Sequence, residues 1–153
     1  MSEPVLDIET RTMGADDLDD ILAIERVSFS IPWSRDIFMG EIEHPLCHDL
    51  VARVEGQIAG YISFAIVHDE IHLRNLAVHR DWKRHGVASR LLSRMITISS
   101  AEGARYGTLE VRKGNVAAIE LYKRFGFVVK GVRPSYYSET CEDALIMWAD
   151  FGL

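Results

Sequence analysis

Basic side chains crowd around one glycine in the segment DWKRHGVASRLL, residues 81–92. Residues 79–90 carry four basic side chains against one acidic side chain, a local charge of +3 in a chain whose formal net charge is −6. These charged residues are Arg80, Lys83, Arg84, Arg90 and Asp81. Because unpaired N–H groups already make the first turn of a helix positive, cations there are normally disfavoured. The pattern therefore indicates an anionic ligand, and phosphate is an anion that helix starts bind well.

The elements on either side of Gly86 fit a phosphate-binding arrangement. EIHLRNLAV, residues 70–78, is typical of a strand. GVASRLLSRMITISSAEGA, residues 86–104, predicts an amphipathic helix that ends near Gly103. The missing side chain at Gly86 lets an anion approach the converging backbone N–H groups. The alternative is a solvated basic face and a glycine that serves only the loop; GxxxxGK(S/T) and GxGxxG do not occur.

The remaining segments alternate between strand and helix patterns. Helices are predicted over residues 14–29, over residues 35–44 with Ser34 as N-cap, and between the N-cap Asn115 and Gly126. Further strands are predicted over residues 5–13, 48–54, 57–67, 106–112, 127–133 and 141–149, with Gly56 in a turn and a loop over residues 134–140. The order β-α-α-β-β-β-α-β-α-β-β predicts an α/β fold in one domain, residues 1–153, with a mixed sheet and helices on its faces.

Composition excludes several classes of protein. With 48% hydrophobic and 26% charged residues, the chain has the balance of a soluble globular domain, and no apolar run approaches the length of a membrane span. The segment MSEPVLDIETRT lacks the features of a signal peptide, so a cytoplasmic location is expected. The net negative charge argues against nucleic-acid binding. Cys47 and Cys141 have neither a CxxC spacing nor neighbouring histidine pairs, so we expect no metal site.

Three polar residues follow in the next strand and helix. Glu110 lies between Leu109 and Val111, whose side chains point to the opposite face of the strand. A surface carboxylate paired with Arg112 is the alternative to a catalytic role. Asn115 and Tyr122 are seven residues apart, which is almost two helical turns, so they are predicted to share a helix face within about 20°. A tyrosine at such a position is otherwise read as core packing.

The segment NLAVHRDWKRHGVASRLL resembles the acetyl-coenzyme A motif of the GCN5-related N-acetyltransferases (GNAT). The loop of that family reads Gln or Arg, two residues, Gly, one residue, then Gly or Ala; here Lys83, Gly86 and Ala88 occupy these slots. Lysine in the first slot departs from the usual pattern. LEVRKGNVAAIELYKRFGF, SYYSETCEDALIM and IPW are similar to the RimI group within the family, which acetylates the N-terminus of a small-subunit ribosomal protein. The resemblance implies a mostly antiparallel central sheet with one parallel, splayed pair of strands.

The resemblance also implies roles for individual residues. Strand backbone would bind the pantetheine arm and the acetyl carbonyl, and the loop with the start of the helix would bind the pyrophosphate. The implied cofactor-binding residues are Leu76, Ala77, Val78, Lys83, Arg84, His85, Gly86, Val87, Ala88, Ser89, Asn115 and Tyr122. Glu110 matches the carboxylate that serves as base, and Tyr122 matches the residue beside the sulfur of coenzyme A. Neither His72 nor His79 matches a catalytic position of the family, although histidine is always a candidate base.

The acceptor side is implied by the same resemblance. Trp33, Glu41, Tyr136 and Tyr137 would bind the acceptor peptide, although the aromatic residues equally suit packing at the rim. The expected reaction is transfer of acetyl from acetyl-coenzyme A to the α-amine of an N-terminal alanine, by direct attack in a ternary complex. Two alternatives stay open: a small-molecule amine or a lysine side chain as acceptor, and a module that binds coenzyme A without chemistry.

Overall fold

The computed structural model describes residues 6–137 and 139–152. Its helices are α1 Leu18–Ser28, α2 Arg35–Glu43, α3 Val87–Ala101 and α4 Val116–Arg124. Its strands are β1 Glu9–Thr12, β2 Leu50–Val54, β3 Gln57–Val67, β4 Glu70–Val78, β5 Tyr106–Arg112, β6 Val128–Tyr137 and β7 Glu142–Asp150. Short 3-10 helices cover Ala15–Asp17 and Arg80–Trp82. The predicted order of elements is confirmed.

The seven strands form one sheet in the order β1-β2-β3-β4-β5-β7-β6. β4 and β5 pair in parallel from Glu70 opposite Tyr106 to His72 opposite Thr108. Antiparallel pairs join β1 to β2, β2 to β3, β5 to β7 and β6 to β7. The predicted mixed sheet with a parallel pair is therefore confirmed.

The chain divides into two compact units. The first contains the residues up to Ala65 together with Asn75–Ile96, and the second contains Ile66–Arg74 together with the residues from Thr97 onward. In the first unit, the apolar face of α1 packs with α2, β2 and β3 in a core whose buried members include Leu18, Ile21, Phe38 and Tyr61. The Phe38 ring meets the rings of Trp33 and Tyr61 edge-on, at centroid distances of 5.2 and 5.8 Å.

In the second unit, the sheet packs closely around Gly107 on β5. A Cβ at this position would lie 3.0 Å from the Phe151 ring and 3.1 Å from the Phe127 ring, so only glycine lets both rings approach. The Tyr106 ring stacks on Trp148 across the β5–β7 pair, with centroids 5.3 Å apart. These contacts fix β5, the strand that carries Glu110.

Local sequence signals define the helix ends. The Ser34 hydroxyl accepts the Ile37 N–H at 3.3 Å, and the Asn115 side chain accepts the Ala118 N–H at the same distance, so both predicted N-caps are confirmed. Gly103 and Gly126 have φ values of +93° and +94° beyond the ends of α3 and α4. Each is the left-handed residue that a helix C-terminus requires.

Two predicted boundaries differ from the structure. Pro134 to Tyr137 belong to β6 and not to a loop, although the β6–β7 register is irregular between Arg133 and Tyr137. Ser135 has a φ of +51° within this stretch, and the Asp143 carboxylate accepts its N–H at 2.9 Å. Because β6 is an edge strand, a proline without an N–H is tolerated there. The first strand begins at Glu9 and not at Val5 as predicted. Val5 of that predicted strand lies outside the described residues, and so does Ser138 of the predicted loop.

Among the residues described, the helices are all too short or too polar to cross a membrane.

Candidate active site

The loop between β4 and α3 turns through the left-handed region at two residues. Arg84 has a φ of +64° and Gly86 a φ of +83°, so the backbone turns twice through the left-handed region before the helix. The Gly86 carbonyl accepts the Arg90 N–H at 3.0 Å, which begins the hydrogen-bond ladder of α3. The N–H groups of the first helical turn have no carbonyl acceptor within the helix, so they stay available to a ligand. Successive N–H groups in such a turn form an anion-binding concavity.

The surroundings of Gly86 fit a pyrophosphate. A Cβ added to Gly86 would meet no atom within 4 Å, so the space over the loop is open. Lys83, Arg84 and His85 are exposed, whereas the Val87 side chain is buried in the core and contributes backbone only. Ala88 and Ser89 are half-buried. An open glycine, a positive helix start and exposed cations together satisfy the requirements of a diphosphate ligand.

The end of β4, which leads into this loop, is fixed by β3. The His79 N–H donates to the Ala59 carbonyl at 2.7 Å. A Cβ at Gly60 would lie 2.8 Å from the Ala77 carbonyl oxygen and 3.0 Å from Cγ1 of Val87, so Gly60 permits the close approach of β3 to β4 and α3. Sequence reasoning missed Gly60, whose only signal is a glycine within an apolar strand. The strand segment with Leu76, Ala77 and Val78 is thereby held against the start of α3.

Glu110 is exposed on β5 between two buried neighbours, Leu109 and Val111, as its strand position predicts. Nε of Arg133 lies 2.9 Å from the Glu110 carboxylate, and the Glu110 side chain is 30% exposed. The alternative prediction, a pair between Glu110 and Arg112, is wrong, because Arg112 pairs with Glu139 and, at 3.5 Å, with Glu142. Arg133 reaches Glu110 because β6 and β5 both pair with β7.

Tyr136 also contacts the carboxylate of Glu110. The nearby Glu110 carboxylate, as a hydrogen-bond acceptor and a negative charge, raises the pKa of Tyr136 above its ordinary value. The Arg133 guanidinium lies over the Tyr136 ring, 5.7 Å from the centroid. The structure therefore brings Glu110, Arg133 and Tyr136 into one cluster, in which an ionised carboxylate keeps further lone pairs for an amine or a water.

A second arginine, Arg112, contacts Tyr137 and two acidic residues that follow it in the chain. The Arg112 guanidinium stacks over the Tyr137 ring at 3.8 Å while it pairs with Glu139 and Glu142. The Glu142 carboxylate also accepts the Gly114 N–H at 2.8 Å. These contacts join β5, the start of the α4 segment and the β6–β7 hairpin, so they hold the proposed acceptor residue Tyr137 in place.

Tyr122 is buried in α4, with 8% of its surface exposed. Burial, and secondly the nearby Tyr137, raises the pKa of Tyr122 to about 12. Its hydroxyl is therefore protonated at neutral pH and is able to act as a proton donor. Asn115 is exposed at the start of the same helix, where its side-chain oxygen caps Ala118 and its amide nitrogen has donors to offer.

The four predicted acceptor residues fall into two pairs. Trp33 and Glu41 belong to the first unit, where the Trp33 ring contacts Phe38 and Glu41 is buried. Tyr136 and Tyr137 belong to the second unit, with ring centroids 5.1 Å apart. Tyr136 is half exposed, so its ring is open to a ligand as well as to Glu110.

The two histidines differ in their surroundings. His72 lies on β4 opposite Thr108, and its Nε2 is buried without a hydrogen-bond partner among the described residues. The His79 side chain accepts the Asp81 N–H at 3.1 Å and thereby caps the 3-10 helix before the loop.

Tyr122→Phe should lower kcat by about 10²-fold, the contribution typical of one general acid, because the family resemblance implies that this hydroxyl protonates the leaving thiolate. The pKa of Tyr122 is about 12 in the folded protein and near 10 in the unfolded chain. Tyr122 therefore stabilises the folded state fully below pH 10, and this stabilisation is lost as the pH rises from 10 to 12. Tyr122→Phe should also remove this part of the alkaline decline. Initial rates at pH 8 and urea unfolding at pH 9 and pH 11 measure the two effects.

Tyr106→Phe on β5 is the matched control, since this ring stacks on Trp148 and has no proposed contact with the thiol. It should leave kcat unchanged. Full activity of a folded Tyr122→Phe variant would exclude Tyr122 as the acid.

Comparisons with known proteins agree with these features. Residues 16–127 match the model of the Acetyltransferase (GNAT) family. The chain therefore belongs to this family of acetyltransferases, which confirms the family predicted from the sequence.

Particular relatives narrow the similarity. A Bacillus subtilis protein provisionally named as a [ribosomal protein bS18]-alanine N-acetyltransferase is 37% identical over 139 residues, which cover 90% of this chain and 92% of that protein. The crystal structure of the ribosomal-protein-S18-alanine N-acetyltransferase from Escherichia coli has a TM-score of 0.88 and 30% identity, with 96% of each chain covered. PaiA N-acetyltransferase from Thermoplasma acidophilum, solved in complex with coenzyme A, shares the fold with a TM-score of 0.80 and 19% identity, over 95% of this chain and 99% of that one.

Proposed function

We propose that this protein transfers the acetyl group of acetyl-coenzyme A to the α-amine of the N-terminal alanine of a small-subunit ribosomal protein. The observation that carries the proposal is the cluster in which the Glu110 carboxylate meets Tyr136 of the β6–β7 hairpin. A candidate base and a candidate acceptor-binding side chain are thus in contact. The relatives that cover nearly the whole chain carry the same activity in their names.

The residues that would hold acetyl-coenzyme A are those of the β4 end, the loop and the start of α3. The backbone of Leu76 to Val78 would bind the pantetheine arm, the segment from Arg84 to Ser89 would bind the pyrophosphate, and Asn115 would donate from its amide. When bound, acetyl-coenzyme A supplies the acetyl group as a reactive thioester. The positive φ values and the open space at Gly86 support this placement.

The chemistry of the acceptor suits a single carboxylate. The pKa of an α-amine is ordinarily about 7.7 to 8.0, against about 10.4 for a lysine side chain, so little help is needed to deprotonate it. Glu110 accepts the proton of the attacking amine, directly or through a water, as the new C–N bond forms. The Tyr122 hydroxyl donates a proton to the sulfur as the C–S bond breaks. Acetylated peptide and free thiol are the products. Solvent then takes the proton from Glu110 and returns one to Tyr122, so the protons balance.

The acceptor peptide is proposed to bind at Trp33, Glu41, Tyr136 and Tyr137. The net charge of −6 favours a basic segment, which ribosomal proteins commonly provide. We assign the enzyme to the cytoplasm, where its substrate is made. We also propose that residues 1–153 form a single catalytic domain and that neither nucleic acid nor a membrane is a partner.

A thiol-release assay tests the proposal with a peptide that carries the ribosomal N-terminus. Turnover should be robust with the free peptide and absent with the same peptide blocked at its α-amine. A polyamine, a drug-like amine and a blocked peptide with an internal lysine test the other acceptors. Faster turnover of any of these three would overturn the proposed substrate. Cofactor binding without transfer to any amine would instead identify a binding module.

A further inference from the structure

One buried carboxylate in the first unit has no part in the chemistry described above. Glu25 on α1 is 1% exposed. It lies on the apolar face of the helix, four residues after Ile21 and three after Leu22, both of which are buried. An acidic residue within the apolar spacing of an amphipathic helix is the signal by which the sequence could have revealed it. Burying a carboxylate is costly unless it is fully hydrogen-bonded, so its presence calls for a reason.

Three donors from three different segments surround this carboxylate. Oε1 accepts the Tyr61 hydroxyl of β3 at 2.6 Å and the Asn75 amide of β4 at 2.8 Å. Oε2 accepts the Trp33 backbone N–H at 2.8 Å. An ionised carboxylate only accepts hydrogen bonds, and here every partner donates. Burial, together with the bond to Glu25, raises the pKa of Tyr61, so its hydroxyl stays a donor.

The two oxygens hold different parts of the proposed site. Oε1 fixes β4 at Asn75, immediately before the strand backbone proposed to bind acetyl-coenzyme A. Oε2 fixes the segment between α1 and α2, which carries Trp33 and an Ile31 that is 63% exposed. The Trp33 ring also packs edge-on against Phe38 of the core. One carboxyl group therefore links the α1–α2 segment to β4.

We propose that Glu25 is a positioning residue for acceptor binding, which holds the Trp33 segment in register with β4. This inference rests on the proposed function, because it assumes that Trp33 contacts the acceptor. Glu25 itself touches neither substrate. Its loss should therefore affect the acceptor peptide more than acetyl-coenzyme A or the chemical step.

Glu25→Gln tests the proposal with almost no change of volume. The single amide oxygen can still accept from Tyr61 and Asn75, but the amide NH₂ then faces the Trp33 N–H, so donor meets donor. The KM for the ribosomal peptide should rise about tenfold, the factor expected when one hydrogen bond to a charged group no longer holds the segment. The kcat and the KM for acetyl-coenzyme A should stay within about twofold.

Tyr61→Phe is the matched control. It removes one donor from Oε1 of the same buried network but leaves the bond from Trp33 to Oε2 in place. Its peptide KM should equal that of the wild type even if its thermal stability falls as much as that of Glu25→Gln. Equal KM changes in the two variants, or no change in either, would show that Glu25 only stabilises the fold and would overturn the proposal.

Hydrogen exchange of the Trp33 amide gives a readout that does not depend on activity. In the wild type this amide should exchange as slowly as amides of the core, and in Glu25→Gln about tenfold faster. A rapidly exchanging Trp33 amide in the wild type would overturn the inference even if the variant failed to fold. If the wild type does not turn over the peptide but its Trp33 amide exchanges slowly, the proposed function is rejected. The structural role of Glu25 would still hold in that case.

Discussion

Glu110→Gln should lower kcat for the ribosomal peptide by about 10²- to 10⁴-fold, the range expected for loss of a general base. The amide keeps the size of the side chain and retains one acceptor for Arg133 or Tyr136, but it cannot take a proton from the amine. The KM for acetyl-coenzyme A should change little, because Glu110 has no proposed contact with that ligand. Steady-state kinetics with each substrate varied in turn provide the measurement.

The pH dependence of this variant separates a catalytic from a structural role. Above about pH 8 the α-amine loses its proton to solvent, so a base is needed less and the deficit of Glu110→Gln should narrow. A variant damaged only in its fold would show the same deficit at every pH. Glu120→Gln on α4, which changes an exposed carboxylate paired with Lys123, is the control and should match the wild type. Wild-type kcat in a folded Glu110→Gln variant would exclude Glu110 as the base.

Gly86→Ala should raise the KM for acetyl-coenzyme A about tenfold or more, since each factor of ten corresponds to about 1.4 kcal/mol. The φ of +83° at this position is a conformation that costs about 1–2 kcal/mol for alanine, so the loop relaxes away from the geometry that presents its N–H groups. The added methyl group would also occupy the open space over the loop. The kcat at saturating acetyl-coenzyme A should stay near the wild-type value.

Gly103→Ala provides a closely matched control for this prediction. Gly103 has a φ of +93° and, like Gly86, open space at its Cβ position, but it follows the end of α3. Both variants should lose similar thermal stability, and only Gly86→Ala should lose affinity for acetyl-coenzyme A. Equal affinities by calorimetric titration with coenzyme A would show that the loop is not the pyrophosphate site.

Local features explain why much of this protein could be predicted. Helix caps depend on a few neighbouring residues, so Ser34 and Asn115 were correctly identified as N-caps. Glycines at helix ends and the charge reversal around Gly86 are also local signals. Strand alternation correctly placed Glu110 between two buried neighbours. The boundary of β6 failed because an irregular edge strand tolerates Pro134, which in most strands would mark an end.

The sequence by itself determined the order of elements and the family, and it predicted a phosphate-binding loop at Gly86, because each depends on residues close together in the chain. Tertiary structure alone decided which charges meet. Arg133 pairs with Glu110, 23 residues away, while Arg112 pairs with Glu139 and Glu142. Tertiary structure also brought three hydrogen-bond donors, from Tyr61, Asn75 and Trp33, to the Glu25 carboxylate. Pairing of this kind depends on strand register and on which helix face is buried, and these are fixed only when the whole core packs.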